Sequence, residues 1–138
     1  MKIMICLFVV LLCTLKIEAQ DYAVISGIVE EKGLNRICLY RVVDGTTVEC
    51  DKYPVQGNQT FGIEYVPEYE GFYAIGYAKK KNMFYLKKGD RVNLRVPERT
   101  NIVLEGKSSS ENEVLFKWFA YVDFECSKLD EESFYYVC

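Results

Sequence analysis

Between Met83 and Glu105 the apolar residues fall in three short runs, Met83–Leu86, Val92–Val96 and Ile102–Leu104. Lys87-Lys-Gly-Asp90 parts the first two and Pro97-Glu-Arg-Thr-Asn101 the last two. Val92, Leu94 and Val96 alternate with Asn93 and Arg95, the period of two that marks a half-buried strand. The same alternation runs upstream through Phe61, Ile63 and Tyr65, and through Tyr73, Ile75 and Tyr77. Three further strands are predicted over Tyr22–Glu31, Arg36–Val43 and Thr46–Val55. Gly27 inside the first of them predicts a bulge or a close backbone crossing. Glu31–Asn35, Asp44-Gly45, Gln56–Asn58 and Pro67–Gly71 are the turn signals between them. About eight short strands, with turns every ~8–12 residues, predict a mainly β fold, an antiparallel β-sandwich. No intervening segment is long and helical enough for a crossover, so parallel pairing is not expected.

The period changes after Gly106-Lys-Ser-Ser-Ser110. Ser110-Glu-Asn-Glu113 fits a capping box, with the Ser110 hydroxyl capping the helix and Glu113 reaching back. Val114, Leu115, Trp118, Phe119 and Val122 form one apolar stripe, predicting a helix packed on the sandwich with Trp118 in the core. The chain thus divides into a sandwich over residues 20–106, a C-terminal helix over 107–126 and a tail over 127–138.

The N-terminus carries a different pattern. Met1-Lys2 is followed by an almost wholly apolar Ile3–Leu15, and Ala19 precedes Gln20. This reads as a secretory signal peptide over residues 1–19, cut after Ala19. Its apolar run is shorter than the ~20 residues a bilayer span needs, so no transmembrane span is expected after cleavage. An exported domain, periplasmic or bound in the cell envelope, follows from that reading. The whole chain has 138 residues with a net charge of −3. Residues 20–138 keep 15 basic and 19 acidic side chains, net −4, which argues against nucleic acid as a partner. There is no histidine, which excludes Ser-His-Asp and Cys-His nucleophile schemes and histidine zinc sites. Neither a metal nor a cofactor is expected.

Four cysteines follow the signal segment: Cys38, Cys50, Cys126 and Cys138. If Val43-Asp44-Gly45 forms a three-residue loop with Gly45 left-handed, Cys38 faces Cys50 across the hairpin. That register sorts apolar from charged residues better than a two-residue turn does. It allows a disulfide, and equally two reduced, buried thiols. Cys126 and Cys138 have no assigned partner. Lys79, Lys80, Lys81, Lys87, Lys88 and Arg91 gather at two successive turns. They read as an anion or acidic-partner patch, or as a solvated rim that blunts strand ends. Asp51, Glu64, Glu68 and Glu70 read as surface carboxylates, since nothing in their spacing sets the paired geometry glycoside cleavage needs. The surplus of Tyr and Phe suits a sandwich core, and alternatively a sugar- or peptide-binding groove.

Several of these segments, taken together, resemble a known family. They are Leu39-Tyr40, Val55-Gln-Gly-Asn58 with Phe61, Gly71-Phe-Tyr73, Phe84-Tyr-Leu86 with Gly89-Asp90, and Leu104-Glu-Gly106-Lys-Ser-Ser leading into a helix. Over Tyr22–Val122 the chain resembles the N-terminal domain of unknown function (family number 4369) that precedes thioredoxin-like domains in exported bacterial thiol–disulfide proteins. The resemblance implies the fold, an export route and a protein partner in the cell envelope. The thioredoxin-like part has no counterpart here: no two cysteines are spaced Cys-x-x-Cys, and sixteen residues follow Val122. The expectation is therefore a non-catalytic accessory domain. The alternatives are a truncated thiol–disulfide oxidoreductase or a small carbohydrate- or peptide-binding module. Exported protein is expected to begin at Gln20; intact-mass measurement checks this, and retention of residues 1–19 refutes it.

Overall fold

The computed structural model describes residues 21–126; the predicted signal segment and the 127–138 tail with Cys138 lie outside them. Eight strands and one helix follow in chain order. They are β1 (Ala23–Val29), β2 (Arg36–Val43), β3 (Thr46–Pro54), β4 (Thr60–Tyr65), β5 (Gly71–Tyr77), β6 (Lys80–Leu86), β7 (Arg91–Val96), β8 (Val103–Leu104) and α1 (Ser110–Cys126). The strands form two four-stranded sheets, ordered β4-β1-β7-β8 and β3-β2-β5-β6. Alternation decides which side chains meet between them. Ile25, Val29, Ile63, Val92, Leu94 and Val96 come from the first sheet, and Ile37, Leu39, Tyr73, Ile75, Phe84 and Leu86 from the second, all nearly or fully buried.

The expectation of purely antiparallel pairing is corrected at one ladder. β1 and β7 run parallel, from Val24 opposite Arg91 to Val29 opposite Val96. The crossover that parallel strands require is here residues 30–90, which build the second sheet and β4 before returning. Gly27 sits in the middle of β1, opposite Phe61 on one side and Leu94 on the other. A Cβ there would lie 1.9 Å from the Leu94 carbonyl oxygen, so this is the close backbone approach that its place in the sequence suggested.

The β2–β3 hairpin also departs from expectation. Asp44 (φ 50°) and Gly45 (φ 74°) are both left-handed, which makes a two-residue turn with Val43 opposite Thr46. That register holds to Tyr40 opposite Glu49, and then slips at a bulge on Cys50, so that Cys38 faces Lys52. The slip keeps Lys52 out and places Tyr53 opposite Ile37, where Tyr53 packs on the core. The sorting of apolar from charged residues is thus achieved mid-strand rather than in the loop.

The helix covers the open side of the sandwich, touching β6 of one sheet and β8 of the other. It starts at Ser110, as the sequence predicts, but its cap is one residue earlier than expected. Ser109 Oγ accepts from the Asn112 N–H at 3.3 Å, while Ser110 Oγ turns to Glu111 at 3.2 Å. The buried face is not the predicted stripe either. Asn112 is fully buried, and Phe116 packs on the core. Val114, Trp118 and Tyr121 are 68%, 59% and 62% exposed. The helix is oriented by Asn112, whose Oδ1 accepts from the Tyr85 N–H at 2.7 Å and whose Nδ2 donates to the Tyr85 carbonyl at 2.8 Å. Tyr85 lies on β6, an edge strand. The side-chain amide supplies both groups that a ninth strand would have offered there. The second Nδ2 hydrogen goes to Ser108 Oγ at 3.3 Å, so the amide's donors are both used.

Asn112→Ala is expected to lower stability by about 1–3 kcal/mol, because it leaves buried polar groups of β6 without partners. Trp118→Ala is expected to change it by less than about 1 kcal/mol, as an exposed site should. Gly27→Ala is expected to cost about 3 kcal/mol or more through its clash with Leu94. Urea unfolding of the three variants checks this ranking, and a Trp118→Ala loss larger than that of Asn112→Ala refutes it.

Candidate functional site

The hairpin register separates Cys38 from Cys50, the pair for which a disulfide was one of two outcomes. Cys38 alternates with the buried Ile37 and Leu39 and so lies on the outer face of its sheet, beside Tyr40. Cys50, at the bulge, packs against the core cluster on the other face. Both are free thiols, one of the two outcomes the sequence left open, and the expected register is corrected: Cys38 faces Lys52, not Cys50. Cys126 closes the helix.

Cys50 belongs to a polar and aromatic cluster at the edge of the core. Its Sγ accepts from the Tyr65 hydroxyl at 3.5 Å and lies 3.9 Å from the Val48 carbonyl. Tyr65 meets Tyr73 edge-on at 5.8 Å, and Tyr73 stacks on Tyr69 at 5.0 Å. Arg41 pairs with Glu68 at 2.5 Å beside them. The arrangement is mainly architectural. β5 pairs with β2 only as far as Arg41, and beyond it the Tyr69 hydroxyl takes over. That hydroxyl accepts from the Val42 N–H at 3.0 Å and donates to the Val42 carbonyl at 2.8 Å. Burial, and then the Cys50 thiol, raise the Tyr65 phenol well above its ordinary range.

The six predicted cations do not form one patch. Lys79, Lys80 and Lys81 stand at one end of β6, and Lys87, Lys88 and Arg91 beyond the other. Five strand residues lie between Lys81 and Lys87, a span of about 20 Å at ~3.3 Å per residue. Lys87 pairs with Glu111 at 3.5 Å and Lys88 with Asp21 at 3.9 Å. Lys81 lies 4.6 Å above the Tyr40 ring and donates to Thr47 Oγ1 at 2.8 Å. Lys80 Nζ donates to the Pro97 carbonyl. Of the acidic residues weighed earlier, Glu68 pairs with Arg41, Glu70 accepts from the Tyr85 hydroxyl at 2.9 Å, and Glu64 is exposed on β4. Among the described residues no three His, Cys, Asp or Glu side chains gather as metal ligands would, and no helix is long and apolar enough to cross a membrane.

What the sequence did not indicate is a cleft beside the helix. Its apolar arm, about 520 Å³, lies between α1 and β8 and is lined by Ile102, Leu104, Phe116, Phe119 and Ala120, with Glu113 and Lys117 at the rim. A neck of about 200 Å³, bounded by Asn82, Met83, Ile102 and Phe119, leads out of it. A basic arm of about 610 Å³ follows, between the β5–β6 turn and residues 98–101, where Lys79, Lys80, Lys81 and Arg99 meet Glu98 and Asp123. The arms share Asn101, which donates to both carboxylate oxygens of Asp123 at 3.1 and 3.2 Å. The apolar run of the sequence begins at Met83, and only the structure, which starts β6 at Lys80, puts the polar Asn82 at a core-facing position of a strand. No protein-family model, curated protein or solved structure matches the chain.

Raised phenols, Tyr65 among them, define an alkaline limit. Burial, then Cys38, pushes Tyr40 up to about 12. Burial, then Glu31, does the same for Tyr77, and a hydrogen bond to Glu70, then burial, for Tyr85. A pKa raised on folding contributes stability that is whole below the unfolded value near 10 and lost as pH rises toward the folded value. Unfolding free energy is therefore expected to fall as pH rises from about 10 toward 12. Denaturant unfolding along that range, with ultraviolet titration of tyrosinate, checks the sign; a rise in stability there refutes it.

Proposed function

We propose that this chain is an exported, non-catalytic accessory domain of the cell envelope that serves a thioredoxin-like oxidoreductase. The observation that carries the reading is the outer face of α1. Val114, Trp118 and Tyr121 recur at i, i+4 and i+7, more than half exposed, on a helix whose other face is already packed. Large apolar side chains aligned on one exposed face favour a protein partner, and aromatic residues are the usual anchors of such contacts. The family that the chain resembles supplies the occupant, because there a thioredoxin-like domain follows this helix. The partner brings the reactive thiols, and this domain brings a rigid platform.

A photo-reactive phenylalanine analogue in place of Trp118 in cells is expected to cross-link to a thioredoxin-fold protein of the envelope. Adducts only between copies of this chain, or none, refute the reading. Far-ultraviolet circular dichroism of the substituted protein confirms that the helix has formed.

A further inference from the structure

Asn82, which lines the neck of the cleft, carries a buried donor with no partner. Asn82 is 8% exposed and faces inward from β6, in register with Phe84 and Leu86. Its Oδ1 accepts from the Ile102 N–H at 3.4 Å. The N–H is a donor, so the oxygen must face it and the amide nitrogen must point the other way. That Nδ2 has no hydrogen-bond partner, and Asn82 borders both the neck and the basic arm. An unpaired buried donor is costly, and a ligand acceptor would offset that cost.

The surroundings narrow the chemistry of that acceptor. Lys79, Lys80, Lys81 and Arg99 outnumber Glu98 and Asp123 along the basic arm, which favours an anion. Lys80 and Lys81 have partners within the chain, so Lys79 and Arg99, both exposed at the rim, are the cations free to turn inward. On the other side of Asn82 the cleft is apolar, with Phe119 and Ile102 leading to Phe116 and Leu104. We propose that this cleft binds a small amphipathic carboxylate. The carboxylate accepts from Asn82 Nδ2 within the field of Lys79 and Arg99, and the apolar body lies against Phe119 and Phe116. The site is distinct from the outer helix stripe, so a ligand and a protein partner would occupy opposite faces of α1.

The test uses residues 20–138 and sodium octanoate as probe, followed by nuclear magnetic resonance of the Asn82 side-chain amide and by Trp118 fluorescence. The Trp118 ring lies 5.9 Å from that of Phe119. Octanoate is expected to shift the Asn82 amide saturably, with octanol, which lacks the charge, and acetate, which lacks the apolar body, each at least tenfold weaker. Asn82→Asp keeps the acceptor for Ile102 but removes the donor and adds a negative charge; it is expected to fold and to lose octanoate binding at least tenfold. Lys79→Gln with Arg99→Gln, both at the surface, is expected to weaken octanoate several-fold and leave octanol unchanged. Octanol binding as tightly as octanoate, a folded Asn82→Asp protein that binds normally, or an Asn82 amide indifferent to octanoate overturns the proposal. So does a long-lived water on that amide that octanoate does not displace.

Discussion

The side-chain amide of Asn112 against the backbone of Tyr85 is the contact on which the arrangement of this domain depends. A sandwich of two sheets leaves unpaired peptide groups along its edge strands, and β6 is such an edge. One side chain meets both the N–H and the carbonyl of one residue there, at 2.7 and 2.8 Å, from a fully buried position. A leucine at this position could fill space but could not pair the strand. An unpaired asparagine would cost more than it contributed. The interaction is favourable only when helix and strand are in register, so it sets the rotation of α1 about its axis.

Everything distinctive on that side of the molecule follows from the rotation. With Asn112 turned inward, Phe116 packs on the core and Phe119 lines the cleft, one and two turns further along the same face. Val114, Trp118 and Tyr121 are turned out to solvent. The end of the helix comes beside the β7–β8 loop, where Asp123 receives Asn101. A cleft remains between α1 and β8, and the basic turn before β6 borders its far end. Tyr69 plays a comparable part at the other end of the second sheet, where its hydroxyl takes both backbone groups of Val42 as the β5 ladder stops. In both places a polar side chain stands in for a strand.

The strands were legible in the sequence because a period of two is a local property. Alternation in Phe61–Tyr65 or Arg91–Val96 needs no knowledge of the neighbouring strand, and residue type alone separates core from solvent there. Turn chemistry was legible for the same reason: Asp44-Gly45 is a turn in whichever register surrounds it. Registers were not. Cys50 becomes a bulge because Tyr53 gains burial opposite Ile37, and no residue near Cys50 encodes that gain. The six cations looked like one cluster because they are close along the chain, and a strand between the two groups carries them apart.

The sequence by itself determined eight strands, a helix after Gly106, a core of alternating aliphatic and aromatic residues, and the absence of histidine chemistry. The tertiary structure alone decided the parallel pairing of β1 with β7, the separation of Cys38 from Cys50, and the face the helix buries. The physical reason is plainest in the helix. Val114, Leu115, Phe116, Trp118, Phe119, Tyr121 and Val122 spread over about 220° of the helix at ~100° per residue, so hydrophobic periodicity points to no single narrow face. A single buried amide, matched to the unpaired peptide groups of an edge strand far away in sequence, made the choice. That match exists only once the sheet has formed.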